Sequence, residues 1–145
     1  MLNNDPTRGG VSPHTFRGLP PRAGAALAWR FEEDIDVFRA PPLIDDRLNV
    51  YQSTGPGNVY KFDAAGRVLW RHAHPAGIHV AGCLVDGAFY LYDNHGSLFA
   101  LSMETGAVLF HAQPAGVPNL DTATLLVYNG TAVFATRPPG VYEGN

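Results

Sequence analysis

The chain has 145 residues, a formal net charge of −3, and a composition that is 46% hydrophobic and only 16% charged. Its Lys and Arg residues are scattered, which excludes the basic run that tracks a phosphate backbone and argues against nucleic acid as a partner. No apolar stretch approaches the roughly 20 residues of a membrane helix, and the lone Cys83 allows no intrachain disulfide and leaves the redox compartment open.

Residues 1–25 are rich in Gly, Pro, Arg and Asn without any period and read as an irregular N-terminal arm. The opening Met1 to Gly10 lacks the apolar core of a signal peptide, so the cytosol is the default compartment. The first strand candidate is 26–31, Ala26-Leu27-Ala28-Trp29-Arg30-Phe31, an isolated strand ahead of the repeats. In a ring, such a strand pairs with the last blade, closes the circle and removes an exposed edge.

A first four-stranded unit spans 38–71. Phe38–Ile44 is its innermost strand, with Pro41 and Pro42 suited to a terminus or bulge. Turns at Asp45-Asp46-Arg47, Thr54-Gly55-Pro56-Gly57 and Ala64-Ala65-Gly66 separate the next three strands. A second unit, 78–111, repeats the order: Ile78–Val85, the hairpin pair Asp86-Gly87, Ala88–Tyr92, the turn Asp93-Asn94-His95-Gly96, Ser97–Ser102, then Glu104-Thr105-Gly106 and Ala107–His111. A third unit over 121–136 shows two strands around Asn129-Gly130 before Pro138-Pro139-Gly140 breaks the pattern. No apolar stripe of helical period runs for three turns between Val37 and Thr136, so helix is expected to be scarce.

The units are in phase. Trp70 and Phe110 stand 40 residues apart, each four residues after a glycine, Gly66 or Gly106, and Trp29 precedes Trp70 by 41. Val59-Tyr60-Lys61-Phe62 recurs as Leu98-Phe99-Ala100-Leu101. A repeat of roughly 40–45 residues with four short strands is the mark of a propeller blade. The expected fold is therefore an all-β partial β-propeller of four-stranded antiparallel blades. A closed propeller takes roughly four to eight blades, and about two and a half are present here. The chain accordingly reads as a fragment, with missing propeller blades or a protein partner completing it.

Ala100-Leu101-Ser102-Met103-Glu104-Thr105-Gly106-Ala107-Val108-Leu109-Phe110 resembles the Ala-x-Asp-x-x-Thr-Gly-x-x-x-Trp blade end of the pyrroloquinoline-quinone-type (PQQ-like) propeller repeats, with Ser for Asp and Phe for Trp. The earlier copy, Phe62 to Trp70, keeps Asp63, Gly66 and Trp70 but is one residue shorter and lacks the Thr. The resemblance covers roughly 26–136. It implies that Trp29, Gly66, Trp70, Thr105, Gly106 and Phe110 are packing residues, the aromatics docking neighbouring blades and the glycines permitting tight turns. A WD-type propeller would want Asp after each Trp, where Arg30 and Arg71 stand. A β-sandwich would leave the shared phase of turns and aromatics unexplained.

Candidate chemistry is sparse. His72, His74 and His79 form the most metal-like group, since residues two apart on a strand share a face, but Pro75-Ala76-Gly77 places them in an inter-blade loop, where solvated histidines are ordinary. Asp45, Asp46, Asp86, Asp93 and Asn94 are of the type that holds calcium beside a quinone, yet each falls at a hairpin turn, where Asp and Asn bond the backbone. No Gly-x-Ser-x-Gly elbow or phosphate loop is present, and the sequon Asn129-Gly130-Thr131 coincides with a hairpin. The residues point to no catalytic, cofactor or metal site. The expectation is a non-catalytic repeat protein acting as a binding or interaction scaffold. The alternative is a fragment of a quinone-dependent dehydrogenase of alcohols or sugars, which would bring PQQ and calcium as cofactors. An envelope assembly scaffold of the same repeat family would need an export signal.

Overall fold

The computed structural model describes residues 27–32, 39–113 and 125–134. Among them it holds no helix and ten short strands. β1 (Leu43–Ile44), β2 (Val50–Ser53), β3 (Asn58–Phe62) and β4 (Val68–Ala73) make one antiparallel sheet in sequence order. β5 (Cys83–Val85), β6 (Ala88–Tyr92), β7 (Leu98–Ser102) and β8 (Val108–Ala112) make a second with the same order. β9 (Leu125–Tyr128) and β10 (Thr131–Phe134) form a third, two-stranded sheet.

The turns follow from residue chemistry. Asp86-Gly87 and Asn129-Gly130 both have positive φ at their two central positions, 48° and 78° in the first and 47° and 71° in the second. That is the backbone of a two-residue hairpin whose twist matches the flanking strands. At the longer turns a side-chain oxygen gathers the loop. Asp45 Oδ1 accepts from Arg47 N and Asn49 N, Asp63 Oδ1 from Ala65 N and Arg67 N, and Asp93 Oδ1 from His95 N and Ser97 N. Ser102 Oγ takes the role where the blade has no Asp, accepting from Glu104 N and Thr105 N.

Each four-stranded sheet carries a β-bulge at the same place. Pairing passes from Lys61↔Trp70 to Phe62↔Val68 in the first and from Ala100↔Phe110 to Leu101↔Val108 in the second. Leu69 and Leu109 are the extra residues, and both are exposed. A bulge bends the strand and re-aims the next side chain; here the re-aimed residues are Trp70 and Phe110.

The cores lie between sheets. Tyr51, Val59 and Trp70 from the first unit meet Ile78, Phe89, Leu91, Phe99 and Leu101 from the second in one buried cluster. A second cluster joins Val80, Tyr92 and Leu98 to Leu125 and Val127 of β9, with Cys83 half-buried against it. A single four-stranded sheet has two apolar faces and cannot cover either alone.

Three expectations are corrected. The innermost strand expected over 38–44 is reduced to Leu43–Ile44; Phe38 lies outside the described residues, and Pro41 and Pro42 cannot donate to a ladder. The strand expected over 78–85 is only Cys83–Val85, because the chain before it is bonded sideways to two turns. Ile78 N donates to Gly55 O and Gly77 O accepts from Asn94 N, at 3.2 and 2.8 Å. Finally, residues 27–32 are not a strand. They pair with no described strand and pack instead through Trp29 and Phe31 on Tyr60 and Phe62 of β3. The arm 1–25 and most of the third unit's flanks lie outside the described residues.

Candidate functional site

The seam between the two complete sheets is where the chemistry of the chain is concentrated. It is built around Met103, whose carbonyl oxygen in the turn before β8 accepts three side-chain donors from the first sheet. Lys61 Nζ lies at 2.7 Å, Trp70 Nε1 at 3.1 Å and Tyr51 Oη at 3.4 Å. The single Tyr51 hydroxyl proton is shared with Asp45 Oδ2, the nearer acceptor at 3.0 Å, and burial together with that carboxylate pushes the hydroxyl pKa upward.

Trp70 lies flat against Gly106. A Cβ at Gly106 would stand 2.8 Å from the indole, and φ there is +73°. Trp29 stands in the same relation to Gly66, where a Cβ would come within 2.5 Å of the ring and φ is +82°. One tryptophan therefore covers the glycine of the following sheet, twice over. Phe110 departs from the burial expected of it: it is 45% exposed, beside the exposed Val108 and Leu109. Among the described residues no element lies over that part of β8. Thr105 is exposed, and its Oγ1 accepts from Ala107 N at 3.3 Å.

The histidines are not the solvated loop expected from sequence. His72 is inside β4, and His74 follows it directly. His74 Nε2 meets Asp93 Oδ2 at 2.9 Å, with the two side chains only 7% and 3% exposed. The imidazole stacks on Phe99 at 4.1 Å and 6° between planes. His72 and His111 flank it at 6.2 and 6.4 Å between ring centres. His79 is half-buried farther along the linker. Among the described residues no group of three His, Cys, Asp or Glu side chains is arranged to hold a metal ion.

Asp93 thus serves two sheets: Oδ1 closes its own turn and Oδ2 reaches back to the first sheet. Burial pushes its carboxyl pKa up, but the bonds from His74, Ser97 N and His95 N outweigh this, and the net is a lowered pKa. His72 is lowered too, first by burial and then by the neighbouring His74. Both groups bind protons more weakly folded than unfolded, so both contribute stability that acid removes. The His72 contribution begins to fall below about pH 6.5 and the Asp93 contribution below about pH 4. Urea midpoints measured from pH 7 to pH 3 are expected to decline along this course. Asp93→Asn is expected to be less stable at pH 7 and shallower in its loss below pH 4. An Asp93→Asn profile parallel to that of the parent chain would disprove the assignment.

The sequence signal for the His74–Asp93 pair was slight. Asp63, between β3 and β4, and Asp93, between β6 and β7, close turns of similar form, and nothing local tells which Oδ2 finds a partner 19 residues away.

A family model described as outer membrane protein assembly factor BamB matches residues 18–142. The chain is similar in structure to BamB from Moraxella catarrhalis, with a TM-score of 0.59 and 20% identity over 71% of this chain and 31% of that one. It is similar to the computationally designed protein Ika8, at 0.54 and 16% identity over 66% and 29% of the two chains. Quinohemoprotein alcohol dehydrogenase from Comamonas testosteroni follows at 0.53 and 19%, covering 67% of this chain and 17% of that one. This chain spans less than a third of the length of each of these structures. No curated protein matches it.

Proposed function

The chain belongs to the PQQ-type β-propeller repeat family whose model is described as outer membrane protein assembly factor BamB, and on that premise we propose that it is a set of blades of a non-catalytic propeller, working as a protein-interaction scaffold. One observation carries this reading. Of the carboxylates of the type that serves a quinone and its calcium, Asp45 and Asp93 are spent separately on the loops that bear them, as Asp63 is, while Asp46 and Asp86 stand exposed on two different hairpins. Asp45, Asp63 and Asp93 bond the backbone N–H groups of three different turns. Asp63 Oδ2 is taken by Arg67 at 2.7 Å, and Asp93 Oδ2 by His74. Turned to hold strands in register, these side chains do not converge on a shared ligand position. That no three His, Cys, Asp or Glu side chains among the described residues are arranged to hold a metal ion supports a reading without a quinone and its calcium.

The competing reading is a piece of a quinoprotein dehydrogenase, the class of one structural neighbour. Adding PQQ and Ca²⁺ to the full chain separates the two. The expected result is no saturable quenching of tryptophan fluorescence and no dye-linked oxidation of alcohols or sugars. Saturable quinone binding that is abolished by Asp86→Asn, a change at an exposed hairpin, would reject the scaffold reading in favour of the dehydrogenase.

A further inference from the structure

A crevice of about 600 Å³ opens between the segment 27–32 and the face of the first sheet. That volume is within the roughly 300–1,000 Å³ typical of ligand pockets. Among the described residues three guanidiniums line it, from Arg30, Arg67 and Arg71, with the carboxylate of Glu32 in the lining and that of Asp63 behind Arg67. This is a local excess of positive charge on a chain whose overall formal charge is −3. Apolar surface accompanies it: Val68 is exposed and Phe31 half-buried, the latter resting edge-on against the buried Tyr60 with ring centres 5.1 Å apart.

The three cations differ in what they already hold. Arg30 is paired with Glu32 at 2.8 Å, and Arg67 with Asp63 at 2.7 Å. Arg71 has no carboxylate partner among the described residues. Its Nη2 and Nε both reach a single amide oxygen, Asn58 Oδ1, at 2.9 and 3.3 Å, and its guanidinium carbon stands 5.8 Å from the Tyr60 ring centre. Two contacts on one neutral acceptor hold the planar group in place without cancelling its charge. Its outer edge keeps donors in the fork geometry that grips a carboxylate with two parallel bonds.

We propose that this crevice is a docking site for an acidic peptide segment of a protein partner, in which a Glu or Asp carboxylate pairs with Arg71 and an adjacent apolar side chain lies against Phe31 and Val68. This deepens the scaffold reading and rests on it, since a scaffold's ligand is a protein. An isolated phosphate or dicarboxylate would use the guanidinium alone and leave the apolar wall of Phe31 and Val68 unemployed. A peptide alternating acidic and aromatic residues uses both.

The test is a fluorescence-anisotropy titration of the full chain with a labelled peptide of alternating Glu and Phe. Parallel titrations use its Gln and Phe counterpart and free glutarate as competitor. Binding is expected to weaken about tenfold on Arg71→Ala and on replacing Glu by Gln in the peptide, the order expected for losing one charge-assisted pair. It is expected to fall with added salt, to be partly kept by Arg71→Lys, and to be unchanged by Arg47→Ala, which lies outside the crevice. Millimolar glutarate is expected to compete poorly. Equal binding by Arg71→Ala with an unchanged thermal melt, equal binding of the Gln peptide, or no binding at all would overturn the proposal. Full competition by glutarate would overturn the peptide assignment. Quinone binding by the chain would reject the scaffold reading through a separate readout and leave these titrations as they are.

Discussion

Trp70→Ala is expected to destabilise the chain by about 3–5 kcal/mol, the range for deleting a large buried aromatic side chain. Trp70 is 9% exposed, meets Tyr51 edge-on with ring centres 6.0 Å apart, and covers Gly106 of the adjoining sheet. Its truncation removes apolar burial from the main core and leaves a gap that the Gly106 backbone, having no side chain, cannot fill. It also removes one of three donors from Met103 O, but Lys61 and Tyr51 remain there, so the lost hydrogen bond is the smaller term. Trp70→Phe keeps an aromatic ring over Gly106 and gives up the N–H, and an intermediate loss is expected. Chemical denaturation followed by far-UV circular dichroism measures both. A loss below about 1 kcal/mol for Trp70→Ala, the level of an ordinary surface change, would show that the two sheets are docked by other contacts.

Gly57→Ala is the second large effect, expected at about 3 kcal/mol from backbone strain and overpacking combined. Gly57 sits at φ +109°, and an added Cβ would stand 2.3 Å from Ala76 O and 2.6 Å from His74 O. Both obstacles are main chain. Gly57 O also accepts from His74 N at 3.0 Å, so pushing the strands apart would loosen the backbone that delivers His74 to Asp93. Gly87→Ala separates the two components. Its φ is +78°, yet nothing lies within 4 Å of the added Cβ, so only the left-handed backbone cost of about 1–2 kcal/mol applies. Equal losses for the two variants, read from urea midpoints, would mean that contact at the linker contributes nothing.

Much of this architecture was legible because it is local and repeated. The hairpin at Asp86-Gly87 needs two residues that tolerate positive φ, and the pair announces itself. The Asp turns at Asp45 and Asp93 are set by side chains bonding backbone two and four residues on, distances that sequence spacing controls directly. The recurring glycine four residues before an aromatic marked the blade ends for the same reason. The structure departs from the local signals where long-range bonding conflicts with them. Ile78–Gly82 alternates as a strand would, but its backbone is drawn to the turns of two different sheets, and periodicity carries no information about such partners.

The candidate sites divide in the same way. The His72, Ala73, His74 spacing marked a polar group worth attention, and a loop was the natural reading beside Pro75-Ala76-Gly77. Only stacking of the sheets laid His74 on Phe99 and brought Asp93 Oδ2 to its ring. Arg71 and Tyr60 are cross-strand neighbours in the register of β3 and β4, which sequence alignment of the repeats approaches. The crevice itself needed segment 27–32 packed over that face. By itself the sequence determined what depends on near neighbours: short strands, their turns, and the repeat that demands face-to-face stacking. The tertiary structure alone decided which Asp oxygen is shared between sheets, which aromatic is covered and which arginine keeps its charge unmatched. These depend on residues far apart in the chain, whose meeting is set by the bulges and linkers that orient one blade on the next.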